Sequence, residues 1–162
     1  MKKCAVFLLI SLLLAGCGAE ETVETVADEW VKRVSAPARD VILALPEDAA
    51  APVSAGEKGI LYRCQGFELL VETLASGDLE ATIREITGYS RENLTVLETR
   101  DGDLKRYDLV WSCLGEQGQQ VARGCILDDG NYHYVLTVLA DAERAGEFES
   151  VWNELFSGYS LS

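Results

Sequence analysis

The spacing of apolar residues from about Leu94 to Ala140 is that of β-strands. Apolar and polar residues alternate there, which is typical of strands that bury one face of a sheet. Asp101-Gly102 and Asp129-Gly130 are typical of tight hairpin turns, and the glycine-containing stretch near 117–119 is expected to join the strands between them. The pattern predicts a four-stranded antiparallel meander with strands over residues 94–100, 104–114, 120–128 and 131–140.

Two segments with helical spacing lie on either side of this meander. The first is expected to begin after a cap at Asp78 and to end at Gly88, and its apolar face consists of Leu79, Ile83 and Ile86. The second is expected to begin with Asp141 as its cap and to end at Gly158. It has an apolar stripe suited to packing on a sheet, formed by Ala145, Phe148, Val151, Trp152, Leu155 and Phe156.

The region before the first of these helices is less regular. Residues 35–58 contain all three prolines and the apolar run 41–45, which predicts one short strand in irregular chain. Residues 59–74 form a second strand-like segment with a possible bend at Gly66. Helices that are segregated from an antiparallel sheet define an α+β fold, which is therefore the predicted fold class.

The first 17 residues have the pattern of a bacterial lipoprotein signal. Lys2 and Lys3 precede an apolar run from Ala5 to Leu14, which is too short to span a membrane. The next residues complete the sequence Leu14-Ala15-Gly16-Cys17, which resembles the lipobox. This resemblance implies cleavage after residue 16, acylation of the Cys17 thiol and retention on the membrane.

Residues 17–37 are predicted to form the lipidated start of the mature chain, a tether and a short helix. Val23, Val26, Trp30 and Val34 recur at helical spacing, with acidic residues before them and Lys32 and Arg33 near the end. The pattern predicts an amphipathic helix over about 22–34, and a flexible tether is the alternative. Residues 38–162 are then predicted to form a single α+β domain.

Charge excludes one class of partner. The chain has 14 Lys and Arg against 27 Asp and Glu, and the predicted signal contains two of the basic residues and no acidic one. The remaining 146 residues therefore have a net charge near −15. Nucleic acid is not an expected partner, because binding to phosphates requires clustered cations.

The order of elements resembles the Mog1/PsbP-like fold, in particular its small bacterial lipoproteins. The resemblance is based on a helix after the early strands, a long meander, and a closing helix that runs into Leu155-Phe156-Ser157-Gly158-Tyr159-Ser160-Leu161. It covers about residues 38–162 and implies a non-catalytic, partner-binding domain, without a family site to transfer. A cystatin- or NTF2-like cone is the alternative fold.

Few residues suggest chemistry. His133 is the single histidine and is expected on a strand surface, and no nucleophile elbow or phosphate-binding loop is present. The acidic residues beside Gly102 and Gly130 are expected to form turns rather than calcium sites. The three tryptophans, Trp30, Trp111 and Trp152, are expected in apolar cores. We therefore predict no catalytic residue, cofactor or metal site.

Cys64, Cys113 and Cys125 are the remaining candidates for thiol or disulfide chemistry. A strand register that pairs Leu109 with Leu127 keeps apolar residues opposite one another and places Trp111 opposite Cys125. Cys113 and Cys125 are then diagonal neighbours, about 7 to 8 Å apart, which is too far for a disulfide. The prediction is that these two are not bonded to each other and that any intramolecular bond includes Cys64.

Two functional hypotheses remain. The first is an extracytoplasmic lipoprotein of the cell membrane or envelope whose domain binds or supports an envelope protein. The second is a thiol-based redox or metal-handling lipoprotein that uses Cys64, Cys113 and Cys125. An accessible thiol with a low pKa favours the second hypothesis.

Overall fold

The computed structural model describes residues 36–53, 59–115 and 118–162. The predicted signal, Cys17 and the predicted helix over 22–34 lie outside these residues and stay predictions. No helix in the described part of the chain is long and apolar enough to span a membrane.

The centre of the molecule is a six-stranded antiparallel sheet. Its strands are β2 (Gly59–Arg63), β3 (Phe67–Ala75), β4 (Val96–Asp101), β5 (Leu104–Gly115), β6 (Gly118–Asp128) and β7 (Tyr132–Asp141). They lie in the order β2-β3-β7-β6-β5-β4. The last four strands are consecutive neighbours, so the predicted four-stranded meander is confirmed.

The predicted single segment over 59–74 is wrong, because it is a hairpin. The chain reverses between β2 and β3, where Gly66 has a φ of 101°. This positive φ is accessible to glycine at little cost, and it converts the predicted bend into a full turn. β3 then pairs along its whole length with β7, from Phe67 opposite Ala140 to Ala75 opposite Tyr132.

The first helix agrees with its prediction. Helix α1 (Leu79–Thr87) begins after Asp78, whose carboxylate accepts a hydrogen bond from the Glu80 N–H at 3.1 Å. It ends at Gly88, which has a left-handed φ of 77°. Both ends therefore form through local interactions that the sequence pattern already contains.

The second helix begins later than predicted. Asp141 does not cap it, because Asp141 is the last residue of β7 and pairs with Gln120 of β6. A short 3₁₀ helix (Ala145–Phe148) follows, and helix α2 is Glu149–Gly158. The part of the apolar stripe that lies within α2 is confirmed, since Trp152, Leu155 and Phe156 are all buried.

Each helix covers one face of the sheet. On the α2 face, the helix packs against alternate residues of the central strands, among them Leu69, Cys125, Leu136 and Val138. On the α1 face, Ile83 packs against Tyr107, Leu109, Trp111, Ile126 and Val135. Trp111 and Trp152 are core residues, as predicted, and Trp30 lies outside the described residues.

The N-terminal segment is fixed to the C-terminal one. Strand β1 (Val41–Ile42) is shorter than the predicted 41–45 and pairs with β8 (Ser160–Leu161) in a separate two-stranded sheet. The Arg39 N–H donates to the Tyr134 hydroxyl at 2.8 Å, and the Arg39 guanidinium donates to the Ser162 carbonyl at 2.9 Å. The chain therefore joins the domain beside the start of β7.

The register of the middle hairpin differs from the prediction by three residues. Leu109 lies opposite Gly124 and Trp111 opposite Ala122, and Gly115 pairs with Gly118. The indole of Trp111 lies across Gly124, where an added Cβ would be 3.0 Å from the ring. Large residues on β5 thus face small residues on β6. The prediction was wrong because it placed apolar residues opposite one another without regard to their size. An odd shift also moves Cys125 to the opposite face from Trp111.

Candidate functional site

A cavity of about 700 Å³ opens at the end of the sheet where β2, β5 and β7 end. Apolar lining comes from Phe67, Leu139 and Ala140. Its polar lining consists mainly of side chains with planar end groups. The two guanidinium groups donate hydrogen bonds, the two carboxylates accept them, and the amide does both: Arg63, Arg144, Glu68, Asp141 and Gln120. The lining contains two cations and two anions, in contrast to the net negative charge of the chain.

Arg144 is held in place by the turn between β2 and β3. A Cβ on Gly66 would lie 2.9 Å from Nη1 of Arg144 and 2.5 Å from the ring of Phe148, so only glycine permits this packing. The Arg144 guanidinium lies 5.3 Å from the centre of the Phe148 ring and donates to Glu147 through Nε and Nη2. The pKa of Arg144 is raised by these bonds to Glu147. The side chain is therefore positioned before any partner binds.

Cross-strand pairing and glycine packing position two of the other polar groups. Arg63 lies directly opposite Glu68, and its Nε is 3.3 Å from the Glu68 carboxylate. The Gln120 amide packs over Gly115, where any Cβ would clash with it. The cavity therefore brings together polar groups from β2, β3 and β6 at one end of the sheet.

The cavity is remote from the point where the N-terminal segment joins the domain. Arg39 binds Tyr134 near the start of β7, whereas Ala140 and Asp141 at the end of β7 line the cavity. Six residues of strand separate Tyr134 from Ala140, which is about 20 Å. The hydrogen bond of Arg39 to Tyr134 and the cavity therefore lie at different ends of β7.

Cys64, Cys113 and Cys125 are free in the structure, and they do not form one site. Cys113 is opposite Gln120 and Cys125 is opposite Asp108, on different faces of β5 and β6. The prediction that Cys113 and Cys125 are not bonded agrees with this geometry, although the predicted register was wrong. Cys64 lines the cavity, and no bond joins it to either of the others.

Two of these thiols are weak acids in the folded protein. Burial raises the pKa of Cys64 to about 11, with a further increase from the nearby Asp48 carboxylate. Burial also raises the pKa of Cys125 to about 12. Because the thiolate is the reactive form, both side chains are poor nucleophiles near neutral pH.

His133 was predicted on a strand surface, and this is wrong. Its side chain is buried under α1, and its Nδ1 lies 2.7 Å from the Thr82 hydroxyl. β7 is a central strand with neighbours on both sides, and α1 covers this face of it, so alternation alone could not indicate exposure. The imidazole therefore connects α1 to the sheet and is not accessible to a ligand.

The acidic residues beside Gly130 form the turn as predicted. The Asp128 carboxylate accepts from the Gly130 N–H, and the Asp129 carboxylate accepts from the N–H groups of Asn131 and Tyr132, all at 2.8 Å. These bonds lower the pKa of Asp129 against the opposing effect of burial. Within the described ranges, no group of three or more His, Cys, Asp or Glu side chains is placed to hold a metal ion.

The sequence pattern did not identify a partly buried ion pair that fixes α2. Arg106 donates to Asp108 through Nε at 2.8 Å and Nη2 at 2.9 Å, and Nη2 also donates to the Phe156 carbonyl at 2.9 Å. The hydrogen bond to Asp108 raises the pKa of Arg106. This pair ties the last turn of the helix to β5, and the only hint in the sequence is the i, i+2 spacing on one strand face.

Known structures with a similar fold are distant in sequence. No protein-family model matches the chain, and no curated protein matches it. The solution structure of the cyanobacterial PsbP protein (CyanoP) from Synechocystis sp. PCC 6803 is similar at a TM-score of 0.55 and 9% identity, over 75% of this chain and 86% of that one. The crystal structure of LpqN of Mycobacterium tuberculosis is similar at 0.51 and 12%, over 77% and 84%.

These identities are low enough that the likeness establishes the fold alone. The described residues form an α+β fold in which two α-helices pack on an antiparallel sheet, in an arrangement similar to that of PsbP, so the predicted fold class is confirmed. Apart from Cys64, which was a candidate for thiol chemistry, the cavity residues were not predicted, because they come from the ends of several strands and from the loop before α2, and no local motif joins them.

Proposed function

We propose that this chain is an extracytoplasmic, lipid-anchored protein whose domain is a non-catalytic binding module. In this proposal the cavity lined by Arg63, Glu68, Gln120, Asp141 and Arg144 binds an envelope partner. The main support is geometric, since the cavity opens at the end of β7 opposite to the point where the N-terminal segment joins.

The anchor in this proposal is Cys17. The residues Leu14-Ala15-Gly16-Cys17 follow a cationic start and an apolar run of signal length. Two or more acyl chains on the mature terminus would hold the domain at the membrane almost permanently. LpqN, whose fold is similar, is involved in cell envelope biogenesis, which is compatible with the same location for this chain.

The polar cavity suits a polar partner better than an apolar ligand. Its side chains provide charges of both signs and an amide, and several are held by neighbouring residues before binding. Pre-positioned polar groups bind with a smaller loss of side-chain entropy than free ones. The expected partner is therefore a protein loop or envelope component with paired donors and acceptors.

The alternative of thiol chemistry receives less support from the structure. The pKa values of Cys64 and Cys125 are raised to about 11 and about 12, opposite to the change that activates a redox cysteine. Cys113 lies on the other face of the sheet from Cys125, so these two are not placed as an exchanging pair.

Site-specific photo-cross-linking in the native membrane tests the proposal. A photoreactive residue replaces Gln120 in the cavity of the full chain, and the control carries it at Glu92, which is exposed on the 3₁₀ helix after α1. The proposal expects a defined protein adduct from position 120 that is absent from position 92. The same adducts from both positions would contradict it.

A further inference from the structure

The strand β4 is an open edge of the sheet. It is the last strand in the order, and five of its six residues are exposed. At the other side, the backbone of residues 50–53 covers β2, through bonds from Ala50 to Arg63 and from Val53 to Leu61, both at 3.0 Å. Within the described part of the chain, β4 therefore offers the open row of backbone groups.

The backbone groups that point outward from β4 can be identified from its turn. Asp101 and Leu104 flank a two-residue turn, so their N–H and C=O groups bond each other. The alternation along an antiparallel strand then directs the backbone of Thr99 toward β5 and the backbones of Glu98 and Arg100 away from it. Glu98 and Arg100 are thus the residues whose backbone can pair with another strand.

We propose that two copies of this chain pair through β4 in an antiparallel arrangement, with the two-fold axis at Thr99. Glu98 of each copy then lies directly opposite Arg100 of the other copy, and the interface contains two reciprocal charge pairs. Opposite charges that face each other across strands stabilise the pairing, and like charges oppose it. The extended sheet would contain twelve strands, six from each copy.

Charge selects this register among the possible ones. In a two-fold pairing, the α1 faces of the two sheets lie on the same side of the joined sheet only when the axis passes through a residue of β4 rather than between two residues. An axis at Glu98 brings two carboxylates together, and an axis at Arg100 brings two guanidinium groups together. An axis at Leu97 instead leaves Glu98 opposite Val96. The Thr99 register places Leu97 opposite Asp101, and we infer that the two charge pairs and the central threonine pair outweigh this mismatch.

The existing contacts leave the two charges available. Within one chain, Glu98 is 3.8 Å from Arg100 and 3.9 Å from Arg91, which is the outer limit of an ion pair. Both side chains are more than 40% exposed. Exposed ion pairs of this length contribute little to stability, so a direct partner across the edge can replace them. Charged side chains generally protect an edge from pairing, but Glu98 and Arg100 have opposite charges, so each can face its complement on a second copy.

The net charge of −13 opposes association, so the contact is expected to be weak in dilute solution. Disulfide trapping detects such a contact. Thr99 faces its own copy in a pair without backbone hydrogen bonds, with Cα atoms about 4.5 Å apart, which is within reach of a disulfide. Leu97 is about 14 Å from its own copy in this register, because four residues of strand separate the two.

The test uses the full chain in detergent or in membranes, with mild oxidation. Thr99→Cys is expected to form a covalent dimer in which the tryptic peptide 92–100 is linked to itself, and Leu97→Cys and Glu92→Cys are the matched controls. In the Thr99→Cys background, Glu98→Arg or Arg100→Glu alone should reduce the dimer at least about tenfold. The combined exchange of both charges should restore it, since the pairs are again complementary.

Three results would overturn the proposal. One is the absence of the linked peptide from Thr99→Cys. Another is an equal yield from Leu97→Cys, which would indicate a different register. The third is failure of the combined exchange to restore the dimer while circular dichroism shows that it folds like the parent.

Discussion

Replacement of Trp152 by Ala is the perturbation that most directly tests the packing of α2. The indole is 5% exposed, and it contacts Phe67 edge-on at 6.2 Å and Phe148 in a stacked arrangement at 6.3 Å. Truncation of a buried Trp typically costs about 3 to 5 kcal/mol, which includes the cavity that remains. This is a large part of the stability of one domain, about 5 to 15 kcal/mol.

Urea denaturation followed by far-UV circular dichroism measures this loss. With an m-value of about 2 kcal/mol/M, a loss of about 4 kcal/mol lowers the midpoint by about 2 M. Trp152→Phe is the matched control. It keeps most of the apolar contact and removes an indole N–H that is buried without a hydrogen-bond partner among the described residues, so it should cost about 1 kcal/mol or less. Coincident midpoints for Trp152→Ala and the parent would refute the assignment of α2 to the core.

Three further predictions follow from the N-terminus, the turn at Gly66 and the buried thiol. Mass spectrometry of the mature protein should find an acylated Cys17 as the first residue, and Cys17→Ala should leave an unprocessed or unlipidated chain; an unmodified start elsewhere would contradict this. Gly66→Ala should lower the urea midpoint by the equivalent of about 1 to 3 kcal/mol, because its φ is 101° and its Cβ would clash, whereas Gly77→Ala, with open space around it, should not. Burial raises the pKa of Cys125 from 9.0 to about 12, so the unfolded state loses its thiol proton first and the folded state should lose stability as pH rises between these values. Cys125→Ala should lose less stability over this range. An equal alkaline loss in both proteins would refute the burial of the thiol.

Features with local causes could be predicted from the sequence. The two ends of α1 depend on Asp78 and Gly88, and both residues act within one turn of the helix. The meander depends on alternation and on the Asp-Gly turns, which are also local. These elements agree with the structure to within two residues at most boundaries.

Features with distant causes could not be predicted in the same way. The start of α2 was misplaced because Asp141 pairs with Gln120 of another strand, and that pairing takes its backbone into the sheet. The hairpin register depended on how the Trp111 ring fits over Gly124, which is a matter of shape rather than of apolar character. His133 was misplaced because the position of α1 over β7 is set by the whole fold.

The candidate site is also a feature with distant causes. Arg63, Glu68, Gln120, Asp141 and Arg144 form no motif, and they meet only because β2, β3, β6 and β7 have ends at one side of the sheet. The meander was predicted from the alternation of apolar residues and from its turns, and the resemblance to the Mog1/PsbP-like fold, which is based on the order of elements, did not indicate this cavity. Sequence patterns therefore indicated the fold and the proposed anchor, and the structure was required to locate the proposed binding surface.

The central claim is that the cavity binds a partner while the chain is attached through its N-terminus. The most direct measurement is the yield of the adduct from a photoreactive residue at position 120, in membranes, with Arg144→Ala in the same chain. Arg84→Ala is the matched control, since Arg84 forms a comparable exposed ion pair with Glu80 on α1, outside the cavity. We predict that Arg144→Ala reduces the adduct at least about tenfold, since charged hydrogen-bonding groups contribute most to such contacts, and that Arg84→Ala leaves it unchanged. Equal yields from the two variants would contradict the assignment of the cavity as the binding site.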